Sequence, residues 1–398
     1  MVSESFNLEN IVRKNILKLK PYRCARDDYN TGTLLDANEN TYGAVTNLCV
    51  KDGALLETPK KDELEANRYP DPLARKVKNR FIKLRNIDSV DNVFVGVGSD
   101  EVIDIVVRVF CEPKKDKILI TPPTYGMYSV VANINDVGIE AINLITENGS
   151  FQLNTSEVVK KLEEDSEIKI VFLCSPGNPT GTSLDLKDIE KILNSRYNGI
   201  VVVDEAYVDF VSADDNQYSL AQMATKYKNL VVMQTLSKSF GLAGVRLGFG
   251  ISNPAIIELF NRIKPPYNIS VLSQEYGYLA LSDDSLAVMK HIVGKIKSQR
   301  DNFLVPKLVE LPGINAILGG NNANFVLAQF VDSDGSPDNQ LASFVYKTCA
   351  DSLGLVIRFR GNEPGCEGCL RVSVGTPTEN VQLVEKIRRA VEMYNANN

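Results

Sequence analysis

Gln234-Thr235-Leu236-Ser237-Lys238-Ser239-Phe240-Gly241-Leu242-Ala243-Gly244-Val245-Arg246 is the stretch that decides how this chain reads. One lysine stands just after two hydroxyls, just before glycines, and eight positions ahead of an arginine. Thr235, Ser237 and Arg246 together can hold a phosphate while the Lys238 amine faces another atom of the same ligand.

Upstream, Ile200-Val201-Val202-Val203 is a continuous apolar run, which predicts a strand buried on both faces of a parallel sheet. Asp204 then falls at the strand's C-terminal edge, where open α/β sheets bind ligands. Tyr207 follows three residues on. A phosphate site, a free amine and a buried carboxylate suit a Schiff base with pyridoxal phosphate. Asp204 would pair with the pyridine nitrogen, and Tyr207 would bond the ring's phenolic oxygen.

Ile170-Val171-Phe172-Leu173-Cys174 predicts a second buried strand, which ends in the turn Ser175-Pro176-Gly177-Asn178-Pro179-Thr180-Gly181. Asn178 precedes a proline, which favours extended backbone; its amide is placed to reach the same phenolic oxygen. Gly96-Val97-Gly98-Ser99-Asp100-Glu101 follows a third strand, Val93-Phe94-Val95. It opens a helix marked by Val102, Ile103, Val106, Val109 and Phe110. Ser99 is the expected N-cap, and the free N–H groups of Ser99, Asp100 and Glu101 suit a phosphate. Glu101 replaces the third glycine of G-x-G-x-x-G, so this is no dinucleotide fingerprint. Tyr125, after the rigid Pro122-Pro123 turn, is placed to stack on a flat ring.

These motifs, in this order, resemble the fold-type I pyridoxal-phosphate aminotransferases. Further segments narrow the resemblance to the histidinol-phosphate aminotransferase family: Leu19-Lys20-Pro21-Tyr22, Leu35-Asp36-Ala37-Asn38-Glu39-Asn40, Asn67-Arg68-Tyr69-Pro70-Asp71-Pro72, Pro123-Thr124-Tyr125-Gly126-Met127-Tyr128 and Gly368-Cys369-Leu370-Arg371-Val372-Ser373-Val374-Gly375-Thr376. The resemblance implies an α/β fold: a mostly parallel central sheet flanked by helices, plus a smaller α+β domain. It implies transamination between histidinol phosphate and 2-oxoglutarate, giving glutamate. Lys238, Asp204 and Tyr207 would be catalytic. Ser99, Asp100, Glu101, Tyr125, Asn178, Thr235, Ser237 and Arg246 would join them in holding pyridoxal 5'-phosphate. Tyr69 would reach the cofactor phosphate from the other subunit of a homodimer. Tyr22, Asn38, Asn178, Arg358 and Arg371 would bind the substrate. Threonine-phosphate decarboxylases share most of the cofactor motifs, and an aromatic amino-acid aminotransferase is a second rival. A transcriptional regulator with an aminotransferase-like domain would need a DNA-binding domain, for which the first 35 residues leave no room.

The 398 residues exceed one simple core, and the order of elements predicts three parts. Residues 1–35 form an arm packing on the small domain, 36–280 a large cofactor-binding domain and 281–398 a small domain. A connecting helix is expected from Leu286 towards Phe303. Strands are expected at Asn324–Ala328, Leu355–Phe359 and Leu370–Val374, with a final amphipathic helix from Glu379 to about Tyr394. A net charge of −6 argues against nucleic acid as partner. No apolar run is long enough to span a membrane and the N-terminus carries no signal pattern, so a cytoplasmic enzyme is expected. The seven cysteines then read as reduced thiols. Cys366-Glu367-Gly368-Cys369 lacks the second pair that a zinc site needs, so no metal is expected and the two cysteines read as incidental loop residues. His291 is the one histidine and sits in a helical-looking stretch, which leaves histidine-based catalysis without a candidate.

Overall fold

The computed structural model describes residues 6–21, 48–51, 54–57, 64–211 and 218–397. A short antiparallel hairpin pairs β1 (Leu48–Lys51) with β2 (Ala54–Glu57). The large sheet holds β3 (Val93–Val97), β4 (Lys117–Ile120), β5 (Gly138–Ala141), β6 (Ile168–Cys174), β7 (Ile200–Asp204), β8 (Leu230–Thr235) and β9 (Leu247–Ile251), in the order β3-β9-β8-β7-β6-β4-β5. Every pairing is parallel except the two made by β9, which runs against both β3 and β8.

The apolar runs explain the layers. In β7, Ile200 and Val202 pack into the core on one face, with Ile170, Phe172, Val231 and Met233. Val201 and Val203 pack into the core on the other, with Val171, Leu173, Leu230 and Val232. Side chains alternate across a strand, so a strand covered on both sides must be apolar throughout. Helices Gly98–Phe110, Met127–Ile134 and Pro254–Ile263 cover the first face. Arg75–Arg85, Thr155–Glu164 and Leu186–Leu193 cover the second.

The small sheet contains β10 (Ile314–Leu318), β11 (Phe325–Phe330), β12 (Arg358–Phe359) and β13 (Cys369–Ser373), all antiparallel, in the order β10-β11-β13-β12. Helices Asn339–Asp351 and Pro377–Asn397 pack on it around their own apolar cluster. Asp338 caps the first of these by accepting the N–H groups of Gln340 and Leu341.

Several expectations change. The described part of the N-terminal arm packs on the large domain, not the small one. Ile11, Val12 and Ile16 join the core beside Val109, Phe110 and Phe260. The Arg13 N–H donates to the Val109 carbonyl at 3.1 Å, and Arg262 donates to the Leu17 carbonyl at 3.0 Å. Only Arg358 and Phe359 of the Leu355–Phe359 run pair as a strand, and β10 is an addition to the expected strands. The connecting helix Asp283–Gln299 gives way to a π turn at Arg300–Leu304, just before Pro306 removes one backbone donor. Cys366 lies in a loop as expected, whereas Cys369 opens β13. Both are fully buried against the large-domain core, where apolar surroundings raise both thiols well above their ordinary range.

The small domain docks through Gly319, whose φ is +82°. A Cβ there would sit 1.8 Å from the Thr180 carbonyl oxygen, so only glycine permits this approach. The Asn322 N–H donates to the Gly181 carbonyl at 2.7 Å. The loop that carries Asn178 is thereby clamped between the two sheets.

Candidate active site

The C-terminal ends of β6, β7 and β8 lie side by side, with the turns after β3 and before β9 at the same edge. That edge opens into a cavity of about 590 Å³. The large domain lines it with Ser99, Asp100, Tyr125, Asn178, Asp204, Tyr207, Thr235, Ser237, Lys238 and Arg246; the small domain contributes Arg358, Arg360 and Arg371.

Asp204 ends β7 and is 3% exposed. Its Oδ2 accepts the Tyr128 hydroxyl at 2.8 Å and its Oδ1 accepts the Ala206 N–H at 3.1 Å. Burial outweighs both bonds and lifts the carboxyl to a pKa of about 6. Sequence reasoning gives Tyr128 no role of its own. Its ring is fully buried behind the wall and packs edge-on against Tyr125 at 5.7 Å.

Lys238 reaches the open cavity, its Nζ 5.7 Å from the centre of the Tyr207 ring. The enclosing walls first, and Arg371 second, hold its pKa below that of a free lysine. Thr235 donates to the Leu247 carbonyl at 3.0 Å and accepts the Ser237 N–H at 3.1 Å, which fixes both hydroxyls before Lys238. Tyr207 packs edge-on against Phe325 at 5.2 Å, and the Arg371 guanidinium lies over the Phe325 ring at 5.2 Å. Arg371 also donates to the Asn178 side-chain oxygen.

The helix Gly98–Phe110 points its N-terminus at the cavity. Gly248 makes this possible: a Cβ there would meet the Ser99 nitrogen at 2.3 Å. Ser99 is inside the first turn and is not the cap. The cap residue is Val97, whose N–H is bonded at 2.6 Å by the Glu101 carboxylate reaching back. Glu101 also accepts from Asn268 at 2.8 Å and, unlike Ser99 and Asp100, does not line the cavity. Arg246 bonds the Asp100 carboxylate at 3.1 Å, and the Tyr125 hydroxyl bonds its other oxygen at 3.2 Å.

Tyr69 is 53% exposed, stacks on Tyr267 at 4.5 Å and does not line the cavity of its own chain. Tyr22 and Asn38 lie outside the described residues. His291 is exposed on the helix Asp283–Gln299. Among the described residues, no group of His, Cys, Asp or Glu is arranged to hold a metal, and no helix is long and apolar enough to cross a membrane.

The large-domain wall fits pyridoxal phosphate on its own chemistry. Asp204 is a buried carboxylate whose bonds come from a hydroxyl and a backbone N–H, and it suits a pyridinium N–H. Thr124 faces the cavity with a buried hydroxyl that finds no partner among the described residues. A helix N-terminus, two fixed hydroxyls and Arg246 form an anion cradle opposite.

Residues 30–387 match the family model for aminotransferase class I and II. The chain is 45% identical over 399 residues to a histidinol-phosphate aminotransferase of Schizosaccharomyces pombe, covering 98% of this chain and 99% of that one. It is 44% identical to the protein of that name in Saccharomyces cerevisiae, covering 97% and 98%. The crystal structure of histidinol-phosphate aminotransferase from Sinorhizobium meliloti in complex with pyridoxal-5'-phosphate shares the fold, with a TM-score of 0.72 at 20% identity over 82% of this chain and 84% of that one.

Proposed function

Because this chain belongs to the histidinol-phosphate aminotransferases, within the class I and II aminotransferase family, we propose that it exchanges an amino group between histidinol phosphate and 2-oxoglutarate. The products are imidazole acetol phosphate and glutamate, in a step of histidine biosynthesis. One observation carries this reading beyond the family: the same cavity joins a lysine–carboxylate wall to an arginine wall. The first wall suits a pyridoxal cofactor, and the second suits the anion that both substrates carry.

Pyridoxal phosphate, when bound, supplies the electron sink that stabilises negative charge on the substrate α-carbon. The Asp204 carboxylate keeps the ring nitrogen protonated, and Tyr128 orients that carboxylate. Tyr125 would cover one face of the ring. Asn178 and Tyr207, which line the same cavity, would bond its phenolic oxygen. Thr235, Ser237, Arg246 and the first-turn backbone of Ser99 and Asp100 would hold its phosphate, whereas Glu101 lies off the cavity. Lys238 would anchor the cofactor, and its amine, which faces the cavity, would be the group that takes the proton from the substrate α-carbon. Burial first and Arg371 second hold its pKa below that of a free lysine, a shift in the direction that a proton acceptor needs. Arg371, Arg358, Tyr22 and Asn38 hold the substrate, with the α-carboxylate of glutamate standing where the phosphate of histidinol phosphate stood.

The active unit is a homodimer in which Tyr69 serves the partner's cofactor phosphate. Leu272, Tyr276 and Leu279 support this. They form an i, i+4, i+7 stripe on the helix Val271–Ala280 and are 50%, 56% and 54% exposed. Such a stripe favours cover by a second copy. The enzyme works in the cytoplasm, with a large domain over 36–280 and a small one over 281–398. Purified protein should move the amino group of histidinol phosphate to 2-oxoglutarate much faster than that of phenylalanine, and should leave threonine phosphate undecarboxylated. Equal rates on phenylalanine, or release of carbon dioxide from threonine phosphate, would refute the substrate assignment.

A further inference from the structure

Arg358 and Arg371 stand directly opposite each other on β12 and β13. Side chains at such positions share one face of the sheet, and like charges there repel. Arg360 follows two residues on, continues the ladder through its N–H to the Cys369 carbonyl at 2.9 Å, and so joins the same face. All three side chains line the cavity. Arg360 differs from its neighbours. It is partly buried, as Arg371 is, but its Nη1 donates to the Glu363 carboxylate at 2.9 Å and its Nε is buried without a hydrogen-bond partner among the described residues. A buried guanidinium N–H with no acceptor is costly unless a ligand supplies one.

We propose that Arg360, held by Glu363, is the residue that selects a phosphate dianion over a carboxylate at the arginine wall. The inference rests on the reading above and deepens it. Three guanidiniums against one carboxylate leave an excess of positive charge, which a dianion neutralises better than a monoanion. A phosphate ester is largely a dianion above its second pKa of about 6. It also has three acceptor oxygens where a carboxylate has two, enough for the Arg360 guanidinium as well as the Arg371 fork. Arg360 already acts on its neighbour: after burial, its charge is the largest influence lowering the Arg371 pKa. Glu363 fixes the guanidinium and keeps the wall from repelling itself when no anion is present.

Inorganic phosphate is the probe, titrated calorimetrically into the holoenzyme, whose cofactor phosphate already fills the other anion site. Arg360→Gln should weaken phosphate binding about tenfold or more, and Arg360→Lys, which restores charge but not the fork, should recover part of it. Glu363→Gln removes the opposing charge and should tighten binding. In steady state, the kcat/KM for histidinol phosphate relative to that for glutamate should fall about tenfold or more in Arg360→Gln. Phosphate affinity within twofold of wild type in Arg360→Gln, equal losses on both substrates, or weaker phosphate binding in Glu363→Gln would each overturn the proposal. If the wild-type enzyme binds phosphate as described but moves no amino group from histidinol phosphate, the substrate assignment fails instead. The two failures are separate measurements.

Discussion

The two walls of the cavity are built on opposite plans. On the large-domain wall Asp204, Thr235 and Lys238 are backed by their own chain neighbours. Glu205, Gln234 and Ser239 are the chain neighbours of Asp204, Thr235 and Lys238, and all three turn into one buried polar network. Gln234 bonds Glu205 at 2.8 Å and Arg85 at 2.7 Å; Arg85 pairs with Asp209 at 2.8 Å, and Asp209 accepts the Ser239 hydroxyl at 2.5 Å. The small-domain wall has no such backing among the described residues. Arg371 leans on Asn178 and Phe325, Arg360 on Glu363, and Arg358 is exposed. A wall that serves one cofactor through every turnover gains from fixed geometry. A wall that accepts two different anions in turn gains from side chains that can readjust.

On this contrast, substitutions on the fixed wall should cost most. Lys238→Ala removes both the covalent anchor and the group that takes the α-proton, so turnover should drop by several orders of magnitude, roughly 10⁴-fold or more. Borohydride reduction of the wild type should fix the cofactor on Lys238, as read by peptide mapping. A label on any other lysine would break the assignment.

Asp204→Asn should cost roughly 3 kcal/mol of transition-state stabilisation, about two orders of magnitude in rate, because the charge that keeps the ring nitrogen protonated is gone. The same substitution should stabilise the cofactor-free protein. Burial lifts the Asp204 carboxyl to about 6, so the folded state binds this proton more tightly than the unfolded chain does. Folding therefore loses stability as pH rises from about 4 to about 6 and stays lower above that window. Urea unfolding of the cofactor-free variant at pH 7.5 should show a higher midpoint than wild type, with the gap closing near pH 4. A lower midpoint at pH 7.5 would mean that the Tyr128 bond outweighs the desolvation of the carboxylate.

The same contrast governs how much the sequence reveals. The fixed wall is written in short contiguous strings. A buried valine run must end at a sheet edge, so the string alone places Asp204, and the same holds for Asn178 after its strand and Lys238 after Thr235. Tyr128 escapes such reading because its contact with Asp204 crosses 76 residues. The Ser99 cap fails because the helix already begins at Gly98, which leaves Ser99 inside its first turn. The arginine wall is only half legible. Arg358 and Arg371 come from the resemblance, whereas the place of Arg360 depends on the β12–β13 register and on Glu363 in the turn between them. The arm is misplaced because Ile11, Val12 and Ile16 declare that they are apolar without declaring which core receives them.

Subunit exchange tests whether the fixed wall ends within one chain. Tyr69→Phe alone should lower kcat/KM by about tenfold through loss of one phosphate donor. Equal mixing and reassociation with Lys238→Ala should restore about a quarter of wild-type activity, because half the dimers are mixed and each has one intact site. Activity at the average of the two parents would place Tyr69 outside the partner's site.

Arg358→Ala should have the smallest effect. Arg358 shares a sheet face with Arg371 but is exposed, so water and salt screen its charge, and exposed ion pairs are typically worth under about 1 kcal/mol. Removing it also relieves its repulsion with Arg371, which offsets part of the loss. The histidinol-phosphate half-reaction should therefore slow by about fivefold or less, and the glutamate half by less still. Arg371→Lys keeps the charge but loses the bidentate fork of a partly buried guanidinium, and should damage both halves more deeply. Single-turnover absorbance changes of the cofactor separate the two halves. If Arg358→Ala proves as damaging as Arg371→Lys, the anion draws Arg358 out of solvent on binding, and the small-domain wall moves further than its resting geometry indicates.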